Sequence, residues 1–177
     1  MAATDSTKKL LAQSLRELMR KRPLNRITVG DICQLCDMNR KSFYYHFHDK
    51  YELVNWIFTR GVREAERNAP YHSDRLLVLC AYLREEQSFY RAALSQLEQN
   101  SLYLCMADLL RPMLLERVAA TDVDAAALDI CVHACGAAII HWLRSGCRQP
   151  EERFVETVYH AFQLMQHMPY HRPGIAQ

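Results

Sequence analysis

Residues Ile27 to Tyr51 read ITVGDICQLCDMNRKSFYYHFHDKY, and two short helical patterns meet there across a tight connection. Thr28 is placed to cap the first, with Asp31 three positions on to return a bond to the cap's own N–H and Ile27 stapling the entry from outside. Ile32 and Leu35 are expected to face a core and Gln34 to face out. The pattern stops near Cys36 or Asp37, where the chain needs a left-handed residue, and Asp tolerates that conformation at some cost. Asn39 then offers its side-chain oxygen to the free N–H groups of a second helix. Phe43 and Phe47, four apart, anchor one side of it, and Arg40, Lys41, Ser42, Tyr44, Tyr45 and His46 fill the rest of its surface.

Two helices joined by about three residues form the helix-turn-helix geometry, in which the second helix enters the major groove of DNA N-terminus first. Its cations and hydroxyls then reach phosphates and base edges. Asp49 and Glu52 read as a further capping box, which puts Lys50 in the first turn of the next helix. A cation is unfavourable at that end unless an anion neutralises it, and a DNA phosphate is the expected anion.

The run ITVGDICQLCDMNRKSFYYHFHDKYEL resembles the signature of the TetR/AcrR family of transcriptional regulators: a threonine-started helix, a short turn, and a recognition helix ending in aromatic residues and histidine before a Lys and a Leu. The resemblance implies an all-α homodimer, with a three-helix helix-turn-helix DNA-binding domain followed by a C-terminal helical bundle for dimerisation and effector sensing. It also implies that Thr28, Asn39, Tyr45, His46 and Lys50 contact phosphate and that Arg40, Lys41, Ser42 and Tyr44 face base edges of double-stranded DNA. The chain departs from the pattern twice. Gly30 stands where many members carry a polar or basic residue, which removes one DNA contact, and Asp37 stands where they usually have Gly.

Charge is distributed accordingly. Through Lys50 the chain holds ten Lys and Arg against five Asp and Glu, whereas the remainder holds twelve against fifteen. A basic head on a mildly acidic body suits a nucleic-acid reader, although the net charge of +2 alone says little. The 177 residues, 50% hydrophobic and 24% charged, are ordinary for a globular protein with one large or two small cores. No secretory signal opens the chain, and seven cysteines without one point to free thiols in a reducing cytoplasm. The most apolar stretch, Ala125 to Leu143, holds Asp129, His133 and His141, so a helix buried in protein is the better reading than a membrane span.

In chain order, a helix from about Asp5 to Arg22 carries Leu11, Leu15 and Leu18 on one face and ends at Pro23. Residues 1–50 form the DNA-binding domain, and a connecting helix over 49–67 leads to a body over 71–169 and a tail over 170–177. The body reads as four or five helices without strand patterning. One starts at Ser73 or Asp74, one lies near Gln87 to Leu97, and one runs from Ser101 to about Ala119, with Leu104, Leu109 and Leu115 apolar and Pro112 expected to kink it. Leu128, Cys131, Cys135, Ala138 and Trp142 in the next helix, beside small residues at 134 and 136–138, and Phe154, Val158, Phe162 and Met165 in the last, are expected to serve as core and subunit seam.

The effector is the least legible part. Tyr82, Arg84, Tyr90, Tyr103, Arg111, His133 and His141 are candidates to line a pocket, though such residues are more often packed or surface side chains. The FYRAAL and GAAIIHWLRSG segments resemble the branch of the family related to dihydroxyacetone-kinase regulators, whose members need not all bind a small molecule; some answer to a protein partner. Cys33 with Cys36 and Cys131 with Cys135 have spacings that could share a metal, but no further ligand pair completes a site, and small core hydrophobes are the favoured reading. Neither a metal nor another cofactor is expected. Thiol-based redox sensing is an alternative, as is an activator or adaptor controlled by a protein partner. No Gly-rich phosphate loop, nucleophile elbow or HExxH motif supports an enzyme.

Overall fold

The computed structural model describes residues 2–95, 101–117 and 124–166, and every regular element among them is helical. Helix α1 (Ala2–Lys21) opens with Asp5 in its first turn and closes on Arg20 and Lys21, both charges matching the helix dipole. It buries Leu11, Ala12 and Leu15 against α2 (Val29–Leu35) and α4 (Lys50–Asn68), while Leu18 is half-buried and Leu10 exposed. Pro23 ends it, and a single 3-10 turn (Leu24–Arg26) leads into α2.

The turn between α2 and α3 (Arg40–His46) is built as the sequence requires. Asp37 adopts φ 52°, and the Met38 N–H donates to the Cys33 carbonyl at 2.9 Å, closing the end of α2. Phe43 of α3 and Phe47 just after it are both buried, with ring centroids 5.8 Å apart, so this helix is fixed by one edge and leaves the others to solvent. Leu35 corrects the sequence expectation: it is 42% exposed, and Cys33 beside Ile32 supplies the core contact. The reason is that α2 ends at Leu35, so no further turn of helix lies over that side chain.

Asp49 caps α4 by accepting from the N–H groups of Tyr51 and Glu52, but Glu52 returns its bond to the His48 N–H at 2.5 Å, one residue outside the expected box. The nineteen residues of α4 span roughly 28 Å. Leu53, Val54, Ile57, Phe58 and Val62 are buried along it, carrying one continuous apolar seam from head to body.

In the body, Asp74 caps α5 (Arg75–Glu85), which buries Leu76, Leu79, Cys80 and Leu83; Glu86 then joins it to α6 (Gln87–Ala93). Helix α7 (Ser101–Leu115) continues past Pro112 and packs along α8 (Ala125–Arg144). Its buried residues are Leu102, Met106, Ala107, Leu110, Met113 and Leu114, whereas Leu104 and Leu115 are exposed. Residues 96–100, 118–123 and 167–177 lie outside the described residues, and with them the end of the helix expected near Gln87 to Leu97, the extension of α7 to about Ala119 and the whole tail over 170–177. Helix α8 ends in a left-handed pair, Gly146 at φ 85° and Cys147 at φ 50°. Their N–H groups donate to Leu143 and Trp142 carbonyls at 3.0 Å. The Trp142 ring stacks on Phe154 of α9 (Glu151–Gln166), centroids 4.8 Å apart. By length and composition α8 would suffice to cross a membrane, yet Val132, Cys135, Ile139, Trp142 and Leu143 lie in the protein core.

Candidate nucleic-acid interface

The surface begins with two caps. At the start of α2 the Asp31 N–H donates to Thr28 Oγ1 at 3.1 Å, and Asp31 Oδ2 accepts from the Thr28 N–H at 2.7 Å and its hydroxyl at 2.8 Å. Arg22 from the end of α1 pairs with the other carboxylate oxygen at 3.0 Å. The Thr28 N–H bond, then the Thr28 hydroxyl and Arg22, hold the Asp31 carboxyl down at about 2, so it is ionised wherever the protein works. At the start of α3, Asn39 Oδ1 accepts from the Ser42 N–H at 2.8 Å and its hydroxyl at 3.1 Å. Both caps therefore fix Thr28, Asn39 and Ser42 in one orientation, at helix starts where free N–H groups favour anions.

With Phe43 and Phe47 turned inward, α3 presents Tyr44, 57% exposed, and Tyr45, 81% exposed. Rings of such exposure offer an apolar body and a polar tip to a partner. The Tyr44 ring stands edge-on to Phe43 and the Tyr45 ring edge-on to His46. A cleft of about 330 Å³ separates α3 from α1, lined by Asn39, Lys41, Ser42, Tyr45 and His46 together with Thr7 and Met38. Thr7 was not among the sequence candidates; it enters from α1, more than thirty residues away, and carries no local signal.

Two cations of this region reach back onto neighbouring parts of the chain, although Arg40 stays exposed as the sequence placed it. The Arg40 guanidinium lies back over α2, against Gly30. The Lys50 ammonium donates to the carbonyls of Leu24 at 2.8 Å, Asn25 at 3.3 Å and Ile27 at 2.7 Å, so its three N–H donors are directed into the connection between α1 and α2. Burial lowers the Lys50 pKa, an effect opposed by the charges of Asp49 and Asp31.

The effector candidates do not converge. Tyr82 and Tyr90 share a 2.6 Å hydroxyl–hydroxyl bond in the body interior, and burial raises both phenols. Tyr103 stacks on His133 and bonds it at 2.7 Å near the surface. Arg84 pairs with Glu151, Arg111 with Asp129, and His141 is exposed. These are separate partnerships, each made within the chain. A wider cleft of about 670 Å³ runs along α4 beside Trp56, Thr59, Arg60 and Arg63, and holds none of the candidates. Among the described residues no three His, Cys, Asp or Glu side chains are grouped to hold a metal. Of the paired cysteines, the Cys36 thiol donates to the Ile32 carbonyl at 3.3 Å, and burial pushes the Cys135 thiol up to about 12.

Known proteins share both halves of this arrangement. Residues 11–57 match the family described as bacterial regulatory proteins, tetR family, and residues 73–163, more than half of the chain, match the transcriptional regulator C-terminal region of the same family. The chain is 35% identical over 88 residues to the HTH-type dhaKLM operon transcriptional activator DhaS of Lactococcus lactis, a stretch covering 48% of this chain and 47% of that protein. A solved structure of a dihydroxyacetone kinase operon activator DhaS superposes with a TM-score of 0.59 at 22% identity, covering 90% of this chain and 95% of the other. A TetR transcriptional regulator from Streptococcus agalactiae does so with a TM-score of 0.67 at 15% identity, over 90% and 95%. With the capped helix pair at one end and the helical body at the other, the chain belongs to the TetR family of DNA-binding, helix-turn-helix transcriptional regulators.

Proposed function

We propose that the protein acts in the cytoplasm as a homodimer that reads a short inverted repeat, each α3 entering one of two major grooves about 34–36 Å apart, and that it represses the adjoining gene until an effector releases it. The observation that carries this reading is the surface of α3, where a cap-fixed helix start and two exposed tyrosines stand beside Lys41 with no hydrogen bond from their hydroxyls among the described residues. Thr28, Asn39, Tyr45 and His46 serve the phosphates, and Arg40, Lys41, Ser42 and Tyr44 the bases. Dimerisation through α8 and α9 is supported by Ile130, Leu164 and Met165, which are 66%, 70% and 46% exposed, beside the exposed small residues Ala134 and Ala137.

One observation favours a second reading. The relative from Lactococcus lactis is named an activator, so activation answering to a protein partner is the alternative to small-molecule derepression. The test is binding to DNA from upstream of the protein's own reading frame against a shuffled duplex, across a salt series, followed by transcription from the bound template. A preference of about a thousandfold or more with a steep salt slope is expected, with reduced transcription on binding. Increased transcription selects the second reading, and binding that ignores sequence overturns both.

A further inference from the structure

Arg40 opens the recognition helix, yet its guanidinium is not aimed along it. A Cβ built on Gly30 would meet Arg40 Nη2 at 2.5 Å, Cζ at 3.2 Å and Nε at 3.2 Å, so the planar group rests on the bare backbone of α2 where any other residue carries a side chain. No carboxylate holds it there. Asp31, the acid next to Gly30, is committed to Thr28 and Arg22, and Arg40 has no ion pair or hydrogen bond among the described residues. Burial raises the neighbouring Cys33 thiol, and the Arg40 charge opposes that shift, which agrees with a guanidinium lying over α2.

We propose that Gly30 is a specificity-determining position that never touches DNA: by leaving a slot on α2 it seats the Arg40 guanidinium at the α2–α3 junction, and so decides which base pair of the half-site Arg40 reads. A guanidinium is a planar donor fork whose pairing with a guanine edge depends on where the fork stands. Arg40 is exposed, and its guanidinium lies against the bare α2 backbone with its donors unpaired among the described residues and available to an acceptor presented there. Any side chain at position 30 must displace it, because real Cβ contacts fall near 3.4–4 Å and 2.5 Å is too close. The displaced group is the end of a flexible side chain, so the substitution moves a DNA contact without disturbing a packed core. Gly30 accordingly does more than remove one contact: it relocates another.

This inference rests on the sequence-specific DNA-binding reading, and its test separates the two. Base preferences of the wild type, Gly30→Ala, Arg40→Ala and the double variant are read by selection from a randomised duplex library, with thermal melting of each. Gly30→Ala is expected to melt no lower than the wild type, since Ala is the better helix former. It should also change preference about tenfold or more at the same base pair of each half-site that Arg40→Ala affects. In the Arg40→Ala background, Gly30→Ala should alter that preference less than about twofold. An unchanged profile for Gly30→Ala, or an equal effect with and without Arg40, overturns the inference while leaving the DNA-binding reading intact. A wild type that selects no sequence overturns both.

Discussion

Lys50 separates two roles that the sequence alone could not distinguish, and Lys50→Met is the perturbation that does so. An ammonium has three donors, and here all three reach carbonyls of the α1–α2 connection. Those carbonyls sit at the end of the 3-10 turn, a locally negative feature, so the cation in the first turn of α4 is neutralised from within the chain. Met keeps the stem and removes the donors. The bonds to Leu24 and Ile27 are short and partly buried, that to Asn25 longer and exposed. Discounting each charge-assisted bond for solvent to about 1 kcal/mol, and the exposed one to little, gives a loss of about 2 kcal/mol. For a chain of this length that corresponds to a Tm lower by roughly 4–8 °C. DNA affinity should fall for all sequences as the connection that positions Thr28 loosens, but the slope of log affinity against log salt should not change. A direct phosphate contact by Lys50 would instead flatten the slope by about 0.9 per protomer, roughly 1.8 for a dimer. Unchanged melting with the flatter slope would refute the clamp and restore the phosphate assignment.

Other positions give sharp expectations. A Cβ at Gly61 would lie 1.9 Å from the Tyr82 oxygen, which is tied to Tyr90, so Gly61→Ala should cost about 1–3 kcal/mol by chemical denaturation. In a Tyr82→Ala background the same change should become neutral or stabilising by up to about 1 kcal/mol, because only the helix-propensity gain is left. Asp31 has its folded pKa, about 2, below its ordinary 3.8, so its contribution is complete above that value and is lost as pH falls toward 2. The difference in Tm between wild type and Asp31→Asn should therefore stay constant above about pH 5 and narrow between about pH 4 and pH 2. Tyr44→Ala should reduce the ratio of specific to random DNA binding while leaving the salt slope in place, since Tyr44 is assigned to a base edge; equal losses on both duplexes would count against that assignment.

The head was legible because its determinants are local. Thr28, Asn39, Asp49 and Asp74 each bond an N–H two or three residues ahead, so type and spacing announce the helix starts, and Asp37 announces a turn. The left-handed Asp37 is the pattern's missing Gly replaced by a residue that bears the same φ. Periodicity failed where contrast was lost. In LYLCMADLLRPMLL most positions are apolar, so no polar face sets the phase, and Leu104 and Leu115 proved exposed while Met106 and Met113 took the core. The partnerships that dispersed the effector candidates were also unreadable: Arg84 and Glu151 are 67 residues apart, and neither has a local cue for the other. Gly30 was noted only as a contact removed, because seeing its slot requires the fold of a side chain ten positions on.

The same distinction between local and distant determinants bears on how head and body are joined. The sequence offered only the connecting helix over 49–67 between head and body. The structure adds a second connection seventy residues long in sequence: Arg16 of α1 pairs with Glu86 at the α5–α6 junction, and its guanidinium lies 4.7 Å from the Phe89 ring centroid. Tyr90, the next residue, is fully buried against Phe58 of α4 and bonded to Tyr82, whose hydroxyl abuts Gly61 on that same helix. The path from α1 through α6 and α5 thus closes on α4, and the head is held at two points of one packed ring. A lever fixed at one point can pivot; one fixed at two cannot swing unless the Arg16–Glu86 pair opens or α6 moves with the head. Any signal that reaches α3 through α4 must therefore also be compatible with what happens at α6, and at the Gly61–Tyr82–Tyr90 contact between them a small displacement has little room to be absorbed.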